Sequence, residues 1–190
     1  MPSRPKYATP NFLEFYALFP FPDPKSKHTA DLALSYYIYA EYQYFAYVNT
    51  YTKFFKIENP SHDEVMAHLR ESWSFAFGMY GQLRTTIEAL RGMRKMIGDK
   101  EPIDKYYEEN ISRLVDVMND IVKHPMYKHS EPSEACEPQA LSMNGEIDII
   151  TWSDEGESSK ETLDPGKDFM VIHDYLEYLA ERLSGTKKTS

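Results

Sequence analysis

Apolar residues recur at helical spacing in four stretches of the chain, which predicts a bundle. In the first, from about Ser26 to Thr29 through Lys56, Leu34, Ile38, Phe45 and Val48 form one stripe, and Tyr37, Ala40, Tyr44, Tyr47, Tyr51 and Phe54 form another. Two stripes imply contact on two sides, as for a helix central to a bundle or shared with a partner. The second stretch opens at Ser61, which makes a capping box with Glu64 three residues on. It runs to about Ile97 with Val65, Leu69, Trp73, Ala76, Tyr80, Leu83, Ile87 and Leu90 on one face. Gly78 and Gly81 inside it each cost ~1 kcal/mol relative to Ala, which points to a close neighbouring helix or a kink. The third runs from about Pro102 to Lys123 with Ile103, Tyr107, Ile111, Leu114, Met118 and Ile121 inward, and Pro125 disfavours helical geometry at His124. The fourth, from about Lys167 to Ser184, turns Phe169, Ile172, Leu176, Leu179 and Leu183 to one side.

Between the third and fourth stretches the period changes to two. The segment "QALSMNGEIDIITW" alternates around Asn144-Gly145, a pair that tolerates positive φ at both central turn positions, and predicts a β-hairpin over residues 139–152. The acidic run at 153–161 reads as a solvated loop. Residues 1–25, with prolines and aromatics in no period, read as an extended N-terminal arm, and residues 185–190 as a disordered tail. The expectation is one mainly α domain over 26–184, a four-to-five-helix up-down bundle with a small β-hairpin inserted before the last helix.

Composition refines this picture. A chain of 190 residues with 42% hydrophobic and 27% charged residues has the length and balance of one folded domain with a real core. Its 15 tyrosines and 10 phenylalanines suit a thick core with wet edges or an interface between subunits, so a homodimer is expected. The lone Cys136 excludes an intramolecular disulfide framework and a thiolate zinc cluster, and fits a reducing cytoplasm. Pro20, Pro22, Asp23 and Pro24 break any signal-peptide core. No run approaches the ~18 apolar residues of a membrane span, so a soluble chain with no membrane partner is expected. A formal charge of -9 argues against a general nucleic-acid binder but leaves room for a local basic cleft.

Candidate chemistry is sparse. A di-iron bundle would need Glu-x-x-His motifs, which do not occur, and no metal or other cofactor is expected. Glu64 and His68 share a helical face but read as an exposed helix-start pair. Glu109, Asp116 and Asp120 come closest to a magnesium-holding acidic face without its spacing. Glu41 interrupts an apolar stripe, where a carboxylate needs a partner or a shifted pKa; Arg84 is the expected ion-pair partner. Arg84, Arg91, Arg94 and Lys95, with Lys123, Lys128 and His129, form a basic group able to hold phosphate or to lie as solvated surface. A pocket between the Tyr-rich helix and Trp73 would suit a small molecule or nucleotide.

The third helix ends "VMNDIVKHP", followed by the hairpin and "LDPGKDFMVIHDYLEYLAERL". This order resembles that of bacterial HEPN-fold proteins, over about Lys27 to Leu183 in outline. The resemblance implies a helical bundle that dimerises and cleaves RNA with an Arg, a following Asn or Asp, and a His four to six residues after the Arg. His124 stands in the His place, Asp120 in the polar place, and Asn119 where the Arg belongs. A neutral amide attracts a developing phosphate charge far less than a guanidinium does. The expected role is therefore a degenerate, non-catalytic interaction module linked to RNA or to toxin-antitoxin and defence systems. The alternative is a metal-independent ribonuclease with His124 as base, Asp120 as its orienter, and Lys123 or an Arg of the second helix on phosphate. Otherwise Asn119 and Asp120 simply finish the helix, with Lys123 and His124 at its negative end.

Overall fold

The structure, a computed structural model, describes residues 21, 23–93, 101–123, 135–141, 145–153 and 156–185. Among these are five helices and three strands: α1 (Pro24–Phe54), α2 (His62–Met93), α3 (Glu101–Asn110), α4 (Ser112–Lys123), β1 (Ala135–Leu141), β2 (Ile147–Ser153), β3 (Gly156–Leu163) and α5 (Pro165–Gly185). The expected mainly α bundle with a hairpin before the last helix is present. Most of the N-terminal arm, the tail beyond Gly185, Arg94, Lys95, His124, Lys128 and His129 lie outside the described residues.

Helix starts follow their caps. Asp23 accepts from the Ser26 amide at 2.9 Å with Pro24 in the first turn, so α1 begins a few residues before the apolar period does. Asp164 does the same for α5, accepting from the Gly166 and Lys167 amides at 3.1 Å, with Pro165 next. The Ser61–Glu64 capping box closes in both directions, at 2.9 Å from the Ser61 amide to Glu64 and 3.3 Å from the Glu64 amide to Ser61 Oγ.

The third apolar stretch is two helices. The Asn110 amide donates to the Tyr106 carbonyl at 3.0 Å and the Ser112 hydroxyl to the Glu108 carbonyl at 2.8 Å, and such local side-chain bonds compete with the backbone ladder. Ile111 sits at the break and is fully buried.

The expected hairpin surrounds Gly145, whose φ of 90° is the left-handed geometry foreseen for that turn. Here the expectation needs a correction: the acidic run contributes β3, which pairs antiparallel with β2 to make a three-stranded sheet in the order β1-β2-β3. Alternation was a poor guide because this strand is almost wholly polar. Its last residue, Leu163, pairs with Ile147, and both side chains are buried in the helical core. Pro138, which lacks a donor, is tolerated on the edge strand β1 next to a register shift.

α1 packs mainly on α2, and Gly78 answers the question its position raised: a Cβ there would sit 3.1 Å from the Gln43 side chain, so close helix approach explains it. Of α1's two stripes the tyrosine one is the core. Tyr37, Tyr44, Tyr47 and Tyr51 are fully buried, while Ile38, assigned to the other stripe, is 46% exposed. Tyr44 stacks on Phe169 of α5 with ring centroids 5.3 Å apart, and Tyr106 of α3 stacks between Tyr175 and Tyr178 of α5.

Tyr47 ties the sheet to this core by donating its buried hydroxyl to the Gly145 carbonyl at 2.6 Å. Tyr47→Phe should lower stability by about 1–2 kcal/mol, measured by urea denaturation, since it removes one buried bond at unchanged shape. An unchanged midpoint would show that the turn is held by other contacts.

Candidate functional site

Polar side chains gather where α2 meets α4 and α5. Tyr80 and Arg84, one turn apart on α2, share a face. Tyr80 donates to Asp168 Oδ2 at 2.5 Å, joining α2 to the first turn of α5. Arg84 donates from Nε to Asn119 Oδ1 at 2.6 Å, joining α2 to α4, and from Nη2 to Glu88 Oε1 at 2.5 Å. The Arg84 side chain is only 13% exposed, against 51% for Glu88. Asn119, which takes the place of an Arg in the resembling family, is thus itself the acceptor of a guanidinium.

The expected Glu41–Arg84 ion pair is corrected by this geometry. Glu41 is buried at 8% exposure on the side of α1 that faces α5, where its charge, with those of Glu177 and Asp174, adds to burial in keeping the Tyr37 hydroxyl protonated. Arg84 points away toward α4. The Tyr37 hydroxyl lies 2.7 Å from Nδ1 of His173, and both residues are buried. Burial depresses the imidazole's affinity for a proton, so the neutral ring is favoured there.

Arg91, two turns beyond Arg84, lies over the Tyr107 ring of α3 with its guanidinium carbon 5.1 Å from the centroid. Arg84 and Arg91 of α2 thus pack against the α3 and α4 layer. Asp120 and Lys123 belong to the last turn of α4, with their side chains, and all of His124, outside the described residues. Trp73 is half-buried against the core, and its Nε1 is buried without a hydrogen-bond partner among the described residues. The Tyr face expected to wall a pocket with it is filled: Tyr37, Tyr44, Tyr47 and Tyr51 are at 0% exposure.

Glu64 serves as a cap, while the His68 ring rests 5.6 Å from that of Phe54, so the two do not act as joint ligands. Glu109 is exposed and pairs with Lys105 at 3.7 Å; Asp116 is exposed. Among the described residues no three His, Cys, Asp or Glu side chains gather as a metal site, and no helix is long and apolar enough to cross a membrane.

The group no sequence pattern signalled is Asp168. Burial, reinforced by the nearby Asp164 charge, pushes its carboxyl up to about 6, with the Tyr80 hydrogen bond and the Arg113 charge opposing. Its only hint was a lone acid one residue before a buried Phe169. Compared with protein-family models, with curated proteins and with solved structures, the chain matches none.

An acid whose folded pKa lies above its unfolded value binds more protons when folded, so its contribution to stability falls as pH rises from about 4 through about 6. Asp168→Asn removes that loss while keeping an acceptor for Tyr80. Urea denaturation should find the variant gaining roughly 2–3 kcal/mol relative to the native chain between pH 4 and pH 7. A constant difference across that range would mean that Asp168 titrates as an ordinary surface acid.

Proposed function

We propose that the chain is a non-catalytic, HEPN-like helical interaction module that works as a homodimer in the cytoplasm. One observation carries this: the guanidinium nearest the position of the missing motif Arg is already committed. Arg84 spends its Nε on Asn119 and its Nη2 on Glu88, and it is nearly buried. A cation held in this way braces α2 against α4 and has its charge balanced by a carboxylate. Stabilising a phosphate transition state requires donors aimed at the place where charge develops, and a neighbouring carboxylate opposes that. Asn119, for its part, presents its oxygen to Arg84, an acceptor where the chemistry wants a donor.

The link to RNA, or to toxin-antitoxin and defence systems, follows from the resemblance of the "VMNDIVKHP" helix end and what succeeds it. In such a setting a module that has lost its cleavage chemistry acts by occupying a protein or RNA partner. The rival reading, a metal-independent ribonuclease with His124 as base, takes its phosphate cation from Lys123 or from an Arg of the second helix, and Arg84 could serve only by leaving Asn119 and Glu88.

Single-stranded RNA incubated with the purified protein and a chelator should remain intact. Arg84→Ala should leave that result unchanged and reduce stability by about 1.5–3 kcal/mol in chemical denaturation, the range for a hydrogen bond from a charged group. Cleavage by the native chain that disappears in His124→Ala would overturn the non-catalytic assignment and establish the ribonuclease.

A further inference from the structure

The face of α1 turned away from α2 and α5 has no charge along most of its length. Between Leu32 and Thr52 the only Asp, Glu, Lys, Arg or His is Glu41, and it is buried. For about six helical turns the solvent side instead offers Leu32 at 38% exposure, Ile38 at 46%, Tyr39 at 59% and Tyr42 at 68%. A helix face bathed by water ordinarily carries charge, and a contiguous apolar patch marks a contact surface.

The order of side chains along this face identifies what covers it. Asp31, Ser35, Ile38, Tyr42, Ala46, Asn49 and Lys53 follow one another at spacings of three and four, so they form one line along the helix, and all are exposed or half-buried. The line is symmetric about Tyr42, since 42 − 31 and 53 − 42 are both 11. Laid antiparallel on a second copy about an axis at Tyr42, Ile38 meets Ala46 of the partner subunit, large against small and apolar against apolar. Ser35 meets Asn49 of the partner subunit, and Asp31 meets Lys53 of the partner subunit, acid against base. A parallel pairing would set Asp31 on Asp31 and Lys53 on Lys53. The formal charge of -9 adds a reason: two copies repel unless they meet on a surface free of exposed acid, and the centre of this face is such a surface.

We infer that the outward face of α1 seats a second copy of this chain, packed antiparallel about a two-fold axis at Tyr42. This rests on the homodimeric reading above and gives it a location, away from Arg84 and Asn119. An isologous contact of this kind is self-complementary, so one line of residues is the whole of both halves.

Sedimentation velocity should find the native chain dimeric, and Ile38→Lys with Tyr42→Lys monomeric with an unchanged circular-dichroism spectrum, since neither side chain is buried in the core. A native chain that is monomeric at its highest soluble concentration, or a double variant that stays dimeric, overturns the assignment. Cross-linking fixes the direction independently. In a Cys136→Ser background, Tyr42→Cys should give a disulfide-linked dimer on oxidation, Ser35→Cys alone should not, and Ser35→Cys with Asn49→Cys should. Linkage of Ser35→Cys to itself would mean parallel packing and refute the proposal. If residues 1–20 cover the face instead, the full chain stays monomeric and only a chain beginning at residue 21 dimerises, which also refutes it. RNA cleavage by an intact dimer would sink the non-catalytic reading and leave this interface standing, whereas an RNA-inert monomer would leave the non-catalytic assignment standing and remove both the homodimer and this interface.

Discussion

A buried tyrosine brings a hydroxyl into a place without water, and the cost of leaving that hydroxyl unbonded exceeds the worth of any one apolar contact around it. This protein buries an entire helix face of them. Tyr37 finds Nδ1 of His173, Tyr47 finds the Gly145 carbonyl, and Tyr80 of α2 finds Asp168. Each bond ends on a different feature of the fold: the middle of α5, the turn of the sheet, and the start of α5. Tyrosine rings fill the core as phenylalanine would, and their hydroxyls fix where the other elements sit. The sheet illustrates the point. Ile147 and Leu163 reach the helical core, and the hydrogen bond from Tyr47 fixes the turn beside them.

The same logic governs α4. Its apolar side, with Leu114 and Met118, seats it on the core, but apolar contacts alone allow a helix to slide or roll. The bidentate use of Arg84, one arm to Asn119 and the other to Glu88 on its own helix, supplies the direction that packing lacks. Arg91 over Tyr107 repeats the device one layer along, on α3. Of the cations grouped as a phosphate-binding row in the sequence, Arg84 and Arg91 are thus braces between α2 and the α3 and α4 layer. In this arrangement the Arg84 guanidinium is fixed between a carboxylate and an amide.

Legibility in the sequence varied with the kind of signal. Helix identity, the Ser61 cap, the turn at Gly145 and the up-down order all rest on local periodicity or on short side-chain to backbone reach, and these were readable. The break at Ile111 was not, because Asn110 and Ser112 disturb the ladder without interrupting the apolar period. β3 was hidden for a related reason: a polar edge strand owes its existence to hydrogen bonds with β2, and no hydrophobic alternation records that debt. On α1 the two stripes were visible, but which one faced inward was not. Aliphatic residues would be the usual choice for the interior, yet here the hydroxyl partners on α5 and in the turn decide for tyrosine and leave Ile38 outside. The Arg84–Asn119 bond spans 35 positions, so no spacing rule reaches it, and Asp168 became notable only once Tyr80 was seen beside it.

Asn119 and Arg84 are best understood as a matched pair. Were residue 119 an Arg, two guanidinium groups would face one another in a half-buried site, with Glu88 the carboxylate bonded to Arg84 among the described residues. Arg has five donors and no acceptor, so neither could bond the other, and like charges taken partly out of water repel far more than they do at the surface. A chain that places Arg84 against this turn of α4 therefore requires an acceptor at 119, and Asn supplies one while remaining uncharged. The positive charge at this junction comes from α2 and holds helices together.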